Sequence, residues 1–139
     1  MPSNWAFIVV YGVVFIFAVY IGFLIGQVVC KRSVVTTRDY WLRNLLGLCL
    51  AILITMFVTA FMVNIAIIGL LAGYIVGLKM TFGESTGPWK AIDKFLNINP
   101  GHRRTAASGV GEDRRRRRKA GEAAPDLISV SGNQKKDSR

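Results

Sequence analysis
An all-α membrane protein with three transmembrane helices is the fold class the sequence predicts. Two observations carry it. From Leu45 to Leu78 there are 34 residues without a charged side chain, and from Trp5 to Cys30 there are 26 more. Uncharged apolar runs beyond roughly 18 residues are read as membrane-spanning. A third observation is the charge: the 139 residues carry a formal net charge of +10, and 11 of the 18 Lys and Arg lie beyond Asn97. Five acids share that region, which leaves it at +6. Such asymmetry calls for an anionic partner, lipid or nucleic acid, or else for a solvated tail that orients the chain in a bilayer.

The first run spans about 39 Å as a helix, enough to cross a hydrocarbon core of about 30 Å with tilt. It reads as a retained anchor. Met1 to Asn4 carries no Lys or Arg, and no A-x-A site follows as a signal peptide would require. Ser3 or Asn4 can cap its start, and Trp5 suits the headgroup level. The connection Lys31 to Asn44 holds Lys31, Arg32, Arg38 and Arg43 against Asp39. Short loops rich in Lys and Arg stay cytoplasmic, which puts the N-terminus outside. Thr36 or Thr37 can cap the next helix with Asp39 in its first turn, and Trp41 marks the interface again.

As one helix the central run would measure about 51 Å and need a tilt beyond the usual ~0–40°. As two crossings, both basic regions share one side of the membrane. The expected spans are therefore Trp5–Cys30, Thr37–Met62 and Ile65–Phe82, with two long helices as the alternative. Asn64 is the candidate turn residue; within a continuous helix it would instead mark a helix contact or a polar path.

Gly69, Gly73 and Gly77 recur every four residues and share one helix face, a glycine-zipper surface that lets another backbone approach. Gly22 and Gly26 form a shorter version in the first helix. The two faces can meet within one chain, or the longer can pair between chains. Cys30 and Cys49 lie at neighbouring ends of the two apolar runs, so pairing between them stays open.

Three regions follow: a transmembrane domain over 1–82, a connection with a short interfacial amphipathic helix over 83–98, and a disordered basic tail over 99–139. In the second, Trp89, Ile92, Phe95 and Leu96 share one face, with Lys90, Asp93 and Lys94 opposite. Trp5, Trp41, Trp89, Phe95 and Lys94 are the expected interface anchors. In the third, low apolar content predicts disorder. Its block Arg114, Arg115, Arg116, Arg117, Arg118 and Lys119 is the expected electrostatic tether, at about 1 kcal/mol per cation near an anionic leaflet. Residues 125–130 are its one apolar island.

No phosphate-binding loop, clustered His or Cys, or serine elbow appears, and no Asp, Glu, Lys, Arg or His falls in mid-span. The expectation is therefore no enzyme, no cofactor and no metal. The expected function is a small multi-pass protein of the cell membrane that acts through helix–helix association. It would be a homo-oligomer or an accessory subunit of a larger membrane complex, its tail held to anionic lipid or a partner. Small size, few spans and a charged C-terminus resemble phage holins in outline, and that resemblance implies a pore or permeability protein as the alternative. A tail that recruits nucleic acid or ribosomes is the third reading.

Overall fold
The computed structural model describes residues 4–122 of the chain. The proposed cap at Ser3, the apolar island and the rest of 123–139 lie outside the described residues. Six helices follow one another: α1 Asn4–Ser33, α2 Thr37–Phe57, α3 Phe61–Phe82, α4 Pro88–Phe95, α5 Pro100–Ser108 and α6 Val110–Ala120. The first three are long and apolar enough to cross a membrane, and there is no strand among the described residues.

The chain reverses between α1 and α2 and again between α2 and α3. Gly22 meets the backbone of Leu70, Gly26 that of Tyr74, and Gly77 that of Phe23, so α1 and α3 run parallel. The Tyr74 hydroxyl donates to the Arg43 carbonyl at 3.2 Å, and Ala51 to Met56 lie beside Ile67 to Leu71, so α2 runs antiparallel to α3. Both basic regions consequently lie at one end of the bundle.

The start of α2 follows from its sequence. The Thr36 hydroxyl accepts from the Asp39 amide at 3.1 Å, and the Asp39 carboxylate accepts from the amides of Thr36 and Val35. This reciprocal box satisfies donors that the first turn would leave orphaned.

Three expectations are corrected. First, the turn between the second and third spans falls at Val58, Thr59 and Ala60, not at Asn64, so the spans end at Phe57 and begin at Phe61 rather than at Met62 and Ile65. Val58 and Ala60 are extended, and Thr59 lies between them. β-Branched Val58 and Thr59 lose least by leaving the helix there. Asn64 stays helical, with its amide bonded to the Ala60 carbonyl, while its Oδ1 is buried without a partner among the described residues.

Second, residues 100–120 are helical where a disordered tail was expected. Pro100 opens α5, and left-handed Gly109 separates α5 from α6. Glu112 and Asp113 stand in the first turn of α6, and Arg117, Arg118 and Lys119 in its last, each complementing the helix dipole. Composition counts the net charge of this segment; it does not register that one arginine is drawn into the bundle.

Third, Asp93 does not face outward with Lys90 and Lys94. It is fully buried against Lys79. The lysine ends an apolar helix among buried neighbours and requires a counter-charge there.

Cys30 and Cys49 are both free thiols, the first buried and the second exposed. Cys30 packs with Val34, Tyr40, Leu78 and Phe82, a small core at the charged end of the bundle.

Candidate functional site
Charge is sorted in this molecule. No Lys, Arg, Asp or Glu occurs from Trp5 to Cys30 or from Leu45 to Leu78. Since the chain reverses twice, every such residue among those described collects at one end. There, α4, α5, α6 and the two connections form a cap over the ends of α1 and α3 and the start of α2.

Two buried ion pairs hold the cap. Lys79 Nζ lies 2.6 Å from Asp93 Oδ1 and 4.7 Å from the centre of the Trp89 ring. Asp93 also accepts from the Ser85 hydroxyl at 2.5 Å and from the Asn99 side chain at 3.3 Å. In the second pair, Arg115 Nη1 donates to Glu84 Oε1 at 2.7 Å and to the Phe82 carbonyl at 3.1 Å. Its Nε donates to the Val35 carbonyl at 2.7 Å, and its guanidinium lies 3.9 Å from the centre of the Phe82 ring. Tyr40 stacks on that same ring at 4.8 Å. One side chain from α6 thus ties the α1–α2 connection to the end of α3. Gly111 permits the approach, because a Cβ there would collide with the Glu84 carboxylate.

Desolvation alone would raise the Asp93 carboxyl, but the hydrogen bonds from Lys79, Ser85 and Asn99, with the lysine charge, hold it below the usual carboxylate value. The folded carboxylate therefore binds its proton less tightly than the unfolded one, whose ordinary value is about 3.9. Its contribution to stability is complete above that value and is lost as the pH falls through the lower folded value. In a Trp5→Phe, Trp41→Phe background, the Trp89 emission is expected to shift in acid below about pH 4. Asp93→Asn should remove that transition and leave the shifted emission at all pH. A signal that ignores both acid and the substitution would refute the role of this carboxylate.

The pairing also sets what the exterior looks like. Asp93 and Glu84 are buried in ion pairs, Asp39 caps α2, and Glu112 pairs with Arg116 at 2.7 Å one turn away. Four of the acids are thus already engaged. Lys31, Arg32, Arg38, Lys90, Lys94, Arg104, Arg114, Arg117, Arg118 and Lys119 remain exposed. The result is a basic outer surface, on which Asp113 and Glu122 are the exposed acids outside these contacts among the described residues.

The residues singled out by sequence fall into three places. Gly22, Gly26, Gly69, Gly73 and Gly77 all lie at the α1–α3 contact, where an added Cβ would meet the backbone of the facing helix. Trp41 packs its ring against Gly87, where the backbone takes a positive φ of 54° and a Cβ would be 2.5 Å from the indole. Trp89 is half-buried over Lys79, whereas Phe95 and Lys94 are exposed. Trp5 stands 75% exposed at the opposite end of the molecule. Of the arginine block, Arg115 is buried and the others face outward.

Sequence reasoning missed Lys79, Glu84 and Arg115 as a structural set. A signal existed for the first: a lone lysine between Leu78 and Met80 needs a partner. Nothing local marks which of five successive arginines turns inward. Among the described residues no three His, Cys, Asp or Glu come together as metal ligands. Comparison with protein-family models, with curated proteins and with solved structures finds no match to this chain.

Proposed function
We propose that this chain is a small multi-pass integral membrane protein that acts by association, as a homo-oligomer or as an accessory subunit of a larger membrane complex. The basic cap faces the cytoplasm against anionic headgroups, and the uncharged N-terminal end lies outside. Unequal packing within the bundle is the observation that carries the association reading. α1 and α3 close tightly over their glycines, whereas α2 packs far more sparsely on α3. Between them an open apolar groove of about 290 Å³ is lined by Ala51, Thr55, Met56, Ile67 and Leu71, among others. Since the glycine faces meet within the chain, the contact surface moves from Gly69, Gly73 and Gly77 to α2. The same packing disfavours a pore, because the small-residue faces meet each other and surround no lumen.

Cys49, exposed on α2, reports on this surface directly. Mild oxidation in native membranes is expected to give a Cys49-linked dimer, or a link to a larger partner, that Cys49→Ala abolishes. A chain that stays single in nanodiscs and brings no membrane protein with it on purification would refute the proposal.

The cap is tested separately. In α4 and at its C-cap, Ile92, Phe95 and Leu96 are exposed beside Lys90 and Lys94, the pattern of a helix lying in the headgroup layer. Arg114, Arg117 and Arg118 together should contribute about 3 kcal/mol toward an anionic leaflet. Replacing all three by Gln is expected to weaken retention of anionic lipid on the order of 100-fold. Retention of anionic lipid equal to wild type, with RNA binding lost instead, would favour nucleic-acid recruitment.

A further inference from the structure
The three spans differ in reach. α1 has 30 residues and is uncharged from Trp5 to Cys30, about 39 Å. The α2–α3 hairpin is shorter. Its uncharged part runs from Phe61 to Leu78 on α3, about 27 Å, and only from Asn44 to Phe57 on α2, about 21 Å. Both fall below a hydrocarbon core of about 30 Å.

Register fixes where the shortfall lies. At the charged end, α2 and α3 are level: Tyr40 stacks on Phe82, and the Tyr74 hydroxyl reaches the Arg43 carbonyl. At the other end, Tyr11 of α1 packs edge-on against Phe61 at 5.4 Å. The Asn4–Val10 stretch of α1 therefore continues about 10 Å beyond the level of Phe61, the residue at which α3 begins. The tip itself, Met56 to Met62, holds no charge, and Met56 and Phe57 are 80% and 82% exposed.

A tip of this kind cannot rest in hydrocarbon. Ala60 precedes α3 as a cap without a side-chain hydrogen bond; its carbonyl accepts from the Val63 and Asn64 amides, but no side chain serves those of Phe61 and Met62. Backbone donors without partners are costly in the bilayer core, where no water can meet them. Headgroups and water must reach the tip, and the leaflet has to come down to it.

We infer that the α2–α3 hairpin, with its uncharged and uncapped tip, thins the leaflet opposite the cap, so that the partner of this face is a locally thinned lipid surface. The inference requires only that the chain enters a bilayer, and it is independent of the association reading. Lipid mismatched in length is expelled or deformed at modest cost per ångström, so the effect reads out as a lipid preference.

The native chain is reconstituted in nanodiscs holding equal amounts of dimyristoleoyl and dierucoyl phosphatidylcholine. The lipids retained on the protein are then counted by native mass spectrometry. Retained lipid should favour the short chain by about threefold. Equal retention, or a preference for the long chain as the length of α1 alone would dictate, overturns the inference. A second measurement uses Thr59→Cys and, separately, Arg38→Cys, each in a Cys49→Ala background, in dioleoyl bilayers with both faces open. A water-soluble maleimide should label the tip within about tenfold of the rate at Arg38→Cys, because headgroups and water reach it. A tip shielded by more than that stays in hydrocarbon, and the inference fails.

Discussion

Gly73→Leu is expected to unfold the bundle before it alters any contact between chains. A Cβ at Gly73 would collide with the Val19 carbonyl oxygen and lie 2.8 Å from the Phe23 nitrogen. These are backbone atoms of α1. They cannot rotate aside as a side chain would, so α1 and α3 must separate. Overpacking usually costs about 1–3 kcal/mol, and here the upper end or beyond is expected because the obstacle is main chain. Dispersion contacts between the helices fall away together, since packing rather than hydrophobic transfer drives association of helices in lipid. The measurement is the unfolding midpoint in mixed micelles titrated with sodium dodecyl sulfate. Gly12→Leu is the control: a Cβ at Gly12 has nothing within 4 Å, so its midpoint should stay near wild type. An unchanged midpoint for Gly73→Leu with a smaller oligomer would mean that this face pairs between chains.

The second large effect belongs to Arg115. Arg115→Ala would leave the Glu84 carboxylate buried without its cation and the carbonyls of Phe82 and Val35 without its donors. Removing one partner of a buried pair typically costs about 3–5 kcal/mol, much of it for the charge left behind. That cost is paid by α6, which loses its hold on the bundle. Trypsin has a ready target there, the run Arg114 to Lys119. When opening is fast, cleavage follows the population of the open form. A loss of about 3 kcal/mol should speed cleavage on the order of 100-fold. Arg115→Met with Glu84→Met should recover most of the protection, because a matched apolar pair leaves no stranded charge. Cleavage at the wild-type rate in Arg115→Ala would show that the tie does not hold α6.

These two results would locate the stability of the molecule at opposite ends of its physics. Along the membrane axis, the absence of side chains at five glycines permits close backbone packing. At the cap, two buried ion pairs select one arrangement among many that a charged segment could adopt. Such pairs add little net stability over an apolar pair of the same shape, but breaking one is costly, so they serve as a register device. That reading accounts for why α6 is helical and docked although its composition is that of a disordered tail.

Hydropathy and charge alone determined the three long apolar helices and the gathering of both basic regions at one end. Those are properties of whole segments: a run without charges must leave water, and 34 such residues are too many for one pass. Tertiary structure decided three things that depend on register. The reversal falls at Val58 to Ala60, where the two antiparallel helices finish level, not at the more polar Asn64. The glycines of α3 pack on the backbone of Phe15, Val19 and Phe23 of α1, a choice that helical spacing leaves open because any smooth helix would fit them. Arg115 alone among its neighbours turns inward, because it is the residue that meets Glu84 and two free carbonyls once α6 lies across the bundle. A helix face or an arginine run specifies what kind of partner it needs; only the packed chain specifies which atoms supply it.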